Sequence, residues 1–469
     1  MAYTQKRGKR PNFYYAVYVK LPPGSDTEMR CYSKHPESGA RWTNQKAAKE
    51  WGQEEERRIN RGTWVDPRLG ETTWQELWDK WIAAIEVEPG TEVFYGDLWR
   101  PHVGPRYGHT PIGRTDPAEI TAWLKALRAG TVETGPPGLR RTQPYAPRTT
   151  DGIRKMMKLM LDDAVDWKLL TSNPLAVHRS SARGKRADRV RPETRPKLGA
   201  TPEQVLAAAV NMHQVVGPGS LAGMGAFMRV LVAAWTGIRP GEQAALDRAN
   251  CATAGPAPAL TVHDEKGSFE ELPGRDPRLK SPKGGDGREV LLHLGLAALL
   301  TAWLDYLSGH IVFPGPEGDR WLRRRWDYRW TQASTGGILE LRGPGRHAPA
   351  GEYILERSVP GLEFKGLRRV QNTWMTELGV PDVVRSHRLG HAMSDEMQAA
   401  YSQVSKPLEA QLLAGLQSLW TDAFAGYAGV AAMGIIGQFA PDFAKRAPAA
   451  LGAAVPALPP HASTAREHS

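Results

Sequence analysis

Between Arg179 and Lys197, inside "RSSARGKRADRVRPETRPKLG", eight residues are basic, two are acidic and two are proline. No hydrophobic core accepts that density of charge, and the stretch shows no apolar periodicity of strand or helix. It must therefore lie on a surface, with folded structure on either side. An extended linker over 179–199 divides the 469 residues into two parts, each long enough to bury its own core. The whole chain carries the same sign: 61 Lys and Arg against 50 Asp and Glu, a net charge of +11 and a pI of about 9.5. That excess favours a polyanionic partner through long-range attraction and counterion release.

Upstream of the linker two patterns follow one another. "NFYYAVYVKLP" alternates and is rich in aromatics, so it predicts a strand, and "EMRCYSK" predicts a shorter one. "TNQKAAKEWGQEEERRINRG" predicts a helix stopped by Gly62, which completes a ββα-type module over 1–65 with a basic start at Lys6, Arg7, Lys9 and Arg10. From 72 to 178 the pattern is helical throughout. Its last helix, "TTDGIRKMMKLMLDDAVDWKLLTSNP", ends before Asn173-Pro174 and carries Arg154, Lys155 and Lys158 on its polar side.

Downstream, 200–410 is mixed. "TPEQVLAAAVNMHQV" and "GAFMRVLVAAWTG" predict buried helices, and "PALTVHD" and "GREVLLH" predict strands around the Lys-bearing, Gly/Pro-rich "LPGRDPRLKSPKGGDG". The class expected is mainly α with small β elements. Residues 411–469 are expected to form a C-terminal helix and a flexible tail, with the uncharged 423–440 either a docking helix or loose. That segment is short for a membrane span, so no membrane partner is expected. The start of the chain lacks an apolar signal core, and the two cysteines, Cys31 and Cys251, have no pairing or metal spacing. A reducing compartment, the cytoplasm, is expected, with no metal and no cofactor.

The chemistry-bearing residues fall in the second part. Arg239 stands in the turn "TGIRPGE" after an apolar helix, where a guanidinium is wasted without an anion to hold. Arg368 in "KGLRR" is a second candidate. Two convergent guanidiniums suit a phosphodiester, because each bonds two non-bridging oxygens. Lys283, between them on a flexible stretch, can reach and protonate a leaving oxygen, and Lys280 is its alternative. His391 follows the helix-closing Gly390, and Tyr401 stands ten residues later. Taken singly these are a helix exit, a solvated loop lysine, a cap and a packing tyrosine. Their shared order, R, K, KxxR, H and Y, is what raises them above that.

This order resembles the tyrosine recombinase, or phage integrase, family. "TGIRPGE" looks like its first box, "KGLRR" its second and "LGHAMSDEMQAAY" its third. "GTWVDPRLGETTWQELWDKW" and "AVDWKLLTSNPLA" look like the borders of its core-type DNA-binding domain, so the likeness covers nearly the whole chain. It implies an arm-binding module over 1–65, an all-helical core-binding domain over 72–178 and a mixed α+β catalytic domain over 200–410. Two positions depart from the pattern. Lys365 stands where the second box begins with His, and Tyr401 lies one residue further from His391 than is usual, which on a helix turns the side chain by about 100°.

The resemblance implies a site-specific recombinase that cuts and rejoins DNA through a 3′-phosphotyrosine. Tyr401 is then the nucleophile, Arg239, Arg368 and Lys365 hold the phosphate, Lys283 is the general acid, and His391 assists. Glu242 braces Arg239, and Tyr427 is a distant substitute hydroxyl. Arg154, Lys155 and Lys158, with Arg183, Lys185 and Arg186 of the linker, are expected to contact DNA. Double-stranded attachment sites, a homotetramer on DNA, the nucleoid, and an excisionase or host DNA-bending helper are implied as partners and setting. So is a C-terminal helix packed on a neighbouring protomer. The alternatives are a type IB topoisomerase-like activity and a DNA-binding regulator with a decayed site.

Overall fold

Apolar alternation and helical spacing produce the elements they predict through most of the chain, whose computed structural model describes residues 2–9, 12–22, 27–36, 38–62, 64, 66–134, 141–176, 199–342, 349–391 and 406–445. The chain divides into two units, Met1–Val190 and Arg191–Ser469.

The first unit opens with an antiparallel sheet in the order β1 (Tyr3–Arg7), β2 (Tyr14–Lys20), β3 (Met29–Tyr32). The ββα reading missed β1. After Tyr3 its side chains are polar and mostly exposed, so its place comes from ladder hydrogen bonds to β2 rather than from burial. Helix α1 (Gln45–Asn60) starts at Asn44, whose side chain accepts from the backbone N–H of Lys46 and Ala47. It rests on β2 so closely that a Cβ on Gly52 would lie 2.7 Å from Val17 Cγ1.

Helices α2 (Trp74–Ala84), α3 (Pro89–Leu98), α4 (Gly104–Tyr107) and α5 (Pro117–Ala129) follow. A pair of two-residue strands, β4 (Glu133–Thr134) with β5 (Arg141–Thr142), then leads to α6 (Pro147–Asp166). "TTWQEL" begins α2 with a full capping box between Thr73 and Glu76. Trp74, Trp81, Ile120, Leu127, Ile153 and Met157 meet in one core, and Trp81 Nε1 donates to Asp163 Oδ2 at 2.6 Å. Most of the linker, with Arg183, Lys185 and Arg186, lies outside the described residues.

The second unit is built around two apolar helices, α7 (Pro202–Val216) and α8 (Leu221–Thr236). Every residue of α8 from Ala222 to Thr236 is buried, as a helix apolar on all sides must be. The exception in chemistry is Arg229, whose guanidinium lies 4.0 Å from the Trp326 ring and donates to Pro240 O at 3.3 Å. It thereby ties α8 to α9 (Pro240–Ala245).

Next come β6 (Cys251–Ala252), β7 (Ala259–Val262), the hairpin β8 (Ser268–Glu270) with β9 (Arg278–Lys280), and β10 (Arg288–Leu291). Strands β10, β7 and β6 form a small antiparallel sheet in that order. Helix α10 (Leu294–Tyr306), helix α11 (Arg323–Thr335), the hairpin β11 (Gly337–Arg342) with β12 (Pro349–Leu355), and helices α12 (Leu367–Glu377) and α13 (Asp382–Leu389) complete the run to the predicted third box. The hairpins β8–β9 and β11–β12 and helix α11 were not legible beforehand. Strands β8 and β9 have only three residues each, β11 and β12 carry Gly337, Pro349 and Gly351, and α11 reads "RRRWDYRWTQAST", which masks its two buried tryptophans among charges.

The C-terminal segment contains the expected helix and takes the docked alternative over 427–439, while the expected tail beyond 445 lies outside the described residues. Helix α14 (Lys406–Ala425) and helix α15 (Tyr427–Phe439) both sink apolar side chains into the core of their own unit. Leu412, Leu416, Trp420 and Phe424 recur every four residues as one buried stripe on α14. Trp420 meets Trp235 of α8 edge-on at 5.1 Å, and Gln417 Oε1 accepts from Gly295 N at 2.7 Å. In this structure the buried stripe of α14 packs within its own chain. Among the described residues no single helix is long and apolar enough to cross a membrane, and α14 with α15 passes that test only as a pair bent by 92°.

Two substitutions test this packing. Gly237 closes α8 at φ 68°, and a Cβ there would lie 1.9 Å from Gln371 Oε1 and 2.7 Å from Leu389 Cδ2. Gly237→Ala is expected to destabilise by about 2 kcal/mol or more and to lower the Tm by several degrees in a thermal melt. Trp420→Ala is expected to cost about 3–5 kcal/mol, which the same melt reads as a large fall in Tm; an unchanged Tm would mean that α14 is not part of this core.

Candidate active site

The site forms where the end of α8 faces the end of α13. Helix α8 stops at Gly237, and Arg239 is the N-cap of α9, with Pro240 in the first helical position. Glu242, three residues on, takes the backbone N–H of Arg239 at 2.7 Å and its Nη1 at 2.8 Å. Its carboxylate is only 1 % exposed, so it needs cations. A second one comes from the start of β10: Arg288 Nη2 and Nη1 grip the two oxygens at 2.7 and 3.1 Å. Burial works to raise the Glu242 carboxyl, but Arg288 first and Arg239 next outweigh it and hold it below the usual range.

Helix α13 ends at Gly390 in the left-handed region, at φ 59°, and leaves its last carbonyls without helical partners. Three guanidiniums from three other elements take three consecutive ones. Arg288 Nε donates to Arg388 O at 3.3 Å, Arg368 Nη2 donates to Leu389 O, and Arg239 Nη2 donates to Gly390 O at 3.0 Å. The negative end of the helix favours all three. Arg368 also reaches back to the α8 exit, donating through Nη1 to Gly237 O at 2.9 Å. Burial, then the charges of Arg239 and Arg288, pull Arg368 down to about 10, with Glu242 opposing them.

The buried side chains beneath complete the stitching. Arg388 Nη2 and Gln371 Nε2 both donate to Trp235 O at 2.9 Å, and Arg388 Nη1 donates to Leu291 O at 2.9 Å. His391 follows directly; its N–H donates to Ser386 O at 3.0 Å and its side chain is exposed beside the cluster. Burial, then Arg368, Arg239 and Arg288, pull its imidazole below 6.5. Arg239, Arg288 and Arg368 bring three positive charges to Glu242's one negative charge, a balance of 3 − 1 = +2. Such a place is built to take an anion.

Lys283 is exposed in the turn Pro282–Gly285 between β9 and β10, whereas Lys280 is paired with Glu270 at 2.8 Å. Lys365, in the short turn before α12, is exposed and pairs with Glu363 at 2.8 Å. Tyr401 lies outside the described residues. Tyr427 is exposed at the start of α15. In the first unit, Arg154 Nη1 reaches Thr121 Oγ1 at 3.4 Å, Lys155 is exposed, and Lys158 is bound to Asp162 at 2.6 Å.

Sequence reasoning missed Arg288, Arg388 and Gln371. Each had a weak signal: Arg288 heads an apolar strand, and Arg388 and Gln371 interrupt apolar helix faces. A polar group placed there is buried and needs a partner. Among the described residues no cluster of His, Cys, Asp and Glu has the make-up of a metal site.

The resemblance to integrases is borne out by comparison with known proteins. The chain is 26% identical over 210 residues to the integrase of Mycobacterium phage D29, covering 43% of this chain and 46% of that protein. It is 26% identical over 204 residues to the integrase of Mycobacterium phage FRAT1, covering 42% and 50%. The chain thus spans about half the length of the curated relatives it matches. No family profile matches it. Among solved structures, it is similar to the Tn1549 transposon integrase in complex with transposon right end DNA, with a TM-score of 0.48 and 13% identity over 72% of this chain and 98% of that one.

The lowered basicity of His391 is open to measurement. Removing one of the cations that penalise its protonated form makes protonation easier, so the pKa rises. In an NMR titration, the His391 ring is expected to titrate below 6.5 in the wild type and to move upward in Arg368→Gln.

Proposed function

We propose, from this kinship with phage integrases, that the chain is a tyrosine-type site-specific recombinase that integrates a mobile element into DNA. One observation carries the reading: Arg239, Arg288 and Arg368 converge on the end of α13 next to His391, with one buried carboxylate among them. The anion that this charge calls for is the scissile phosphate.

In this reading the Tyr401 oxygen attacks phosphorus, and the bond to the 5′-oxygen breaks as the new P–O bond forms. A phenol of pKa near 10 is a poor nucleophile at neutral pH, so nearby cations must favour the phenolate. Arg239, Arg368 and Lys365 hold the non-bridging oxygens, whose charge grows in the pentavalent transition state. Lys365 is a donor without an acceptor in its charged form, so it binds or gives a proton rather than taking one. Lys283, free in its turn, delivers a proton to the leaving 5′-oxygen. His391, whose imidazole is pushed below its usual pKa by burial and then by its cationic neighbours, can accept the phenol proton or bind a phosphate oxygen. The 3′-phosphotyrosine keeps the energy of the broken ester, and attack by another 5′-hydroxyl reverses the step on a new strand.

The remaining parts fit that task. The module over 1–65 is assigned to arm-type sites, the helical domain over 72–178 to the core site with Arg154, Lys155 and Lys158, and the linker with Arg183, Lys185 and Arg186 to the phosphate backbone. Exchange between two duplexes breaks four strands, so four copies assemble on DNA, each giving one tyrosine. A helper protein sets the direction.

The test is a nicked duplex carrying the attachment core, which traps the covalent intermediate. Wild type is expected to form an adduct that migrates with the protein in a denaturing gel. Tyr401→Phe is expected to bind the duplex and form none. Arg239→Ala and Arg368→Ala are each expected to slow adduct formation by about 10²–10³-fold. An adduct that persists in Tyr401→Phe would sink the assignment of the nucleophile.

A further inference from the structure

We infer that Arg288 is a positioning residue of this site, and that its function is to keep the Arg239 charge available to the phosphate. The inference rests on the reading of the cluster as a phosphodiester site. Arg288 makes three contacts that no other side chain combines among the described residues. Its guanidinium grips both oxygens of Glu242, its Nε donates to Arg388 O, and its side chain lies under Gly390, where a Cβ would come within 3.0 Å of its Cδ, Nε and Cζ. It is itself almost buried, with 9% of its side chain exposed. One side chain thus joins the residue that fixes Arg239 to the turn that presents His391.

The electrostatic consequence follows from counting. With Arg288 in place, Arg239 and Arg288 share one carboxylate, and the three groups sum to 2 − 1 = +1. Without it, Glu242 and Arg239 form a closed pair of net charge zero. The pair is held where solvent screens little, so the field that Arg239 sends toward an anion is largely cancelled. Glu242 cannot simply be protonated to relieve this, because the Arg239 backbone and guanidinium still bind it. The fork geometry also matters. Both Glu242 oxygens are held in plane by the Arg288 fork, which leaves Arg239 free to span from Glu242 to Gly390 O.

A residue that merely held β10 in place would give a different mutational pattern from one that tunes charge. Arg288→Gln is expected to slow covalent adduct formation at saturating DNA by about 10²-fold. Affinity for the duplex is expected to stay within about threefold, because the duplex is held mainly by many other phosphate contacts. The double variant Glu242→Gln with Arg288→Gln removes the carboxylate that neutralises Arg239. It is expected to recover at least tenfold of the loss. A packing role alone predicts that the double variant is slower than Arg288→Gln.

Thermal melts establish that each protein is folded. Should Arg288→Gln fail to fold, Arg288→Lys keeps the charge and loses the fork, and is expected to fall between wild type and the double variant. A second arm needs no chemistry: binding of inorganic phosphate, followed through the His391 ring signals, is expected to weaken in Arg288→Gln and return in the double variant. An unchanged adduct rate and unchanged phosphate affinity in Arg288→Gln, or a double variant slower than the single, overturns the inference. A wild type that binds phosphate with this pattern yet never forms an adduct overturns the recombinase reading instead.

Discussion

A helix end with three unmet carbonyls and one buried carboxylate organises the second unit. Backbone carbonyls at the exit of α13 need donors, because Arg388 and Leu389 there are buried. Arg288, Arg368 and Arg239 supply them, one carbonyl each, from β10, α12 and the start of α9. Elements far apart in sequence are fixed together by the same bonds that gather positive charge. Glu242 lowers the cost of that gathering without cancelling it, since it offsets one charge of three. Such an arrangement is expensive without an anion, and the expense is what makes it legible as a site.

The apolar architecture serves this pairing of helix ends. Helix α8 is buried on every side, so its C-terminus is set by the core and not by local preference. Gly237 and Gly390 then turn the chain in the left-handed region, and each is also a point of close approach, to Gln371 and Leu389 in one case and to Arg288 in the other. Below them Arg388 and Gln371 lock the carbonyl of Trp235. Trp235 in turn packs against Trp420 of α14. The C-terminal helices are thus continuous with the support of the site, which is why the uncharged segment within 423–440 docks rather than hangs loose.

Most helices were legible, because amphipathic spacing and end signals are local. Thr73 with Glu76, Thr201 with Gln204 and Pro202, and Gly237 behaved as their types require. The misses have physical causes. Strand β1 has no apolar face to announce it, and α11 hides its two buried tryptophans among charges. Of the site, Arg239 and His391 were legible as polar residues just after helix exits, and Arg368 as a cation on a helix whose other face is apolar. Arg288 was read only as part of a strand.

The sequence by itself determined the partition of the chain at a polybasic linker, the helical character of both halves, and a set of residues whose order resembles that of a known family. The first two follow from composition and periodicity and the third from that resemblance, none of which needs a third dimension. Only the tertiary structure decided that Arg239, Arg288 and Arg368 share one helix end, that Glu242 is held by two of them, and that the C-terminal helices fold onto their own unit. Those facts depend on which distant groups meet, and a meeting is set by burial and by the need of buried polar atoms for partners. Neither is written in any single stretch of residues.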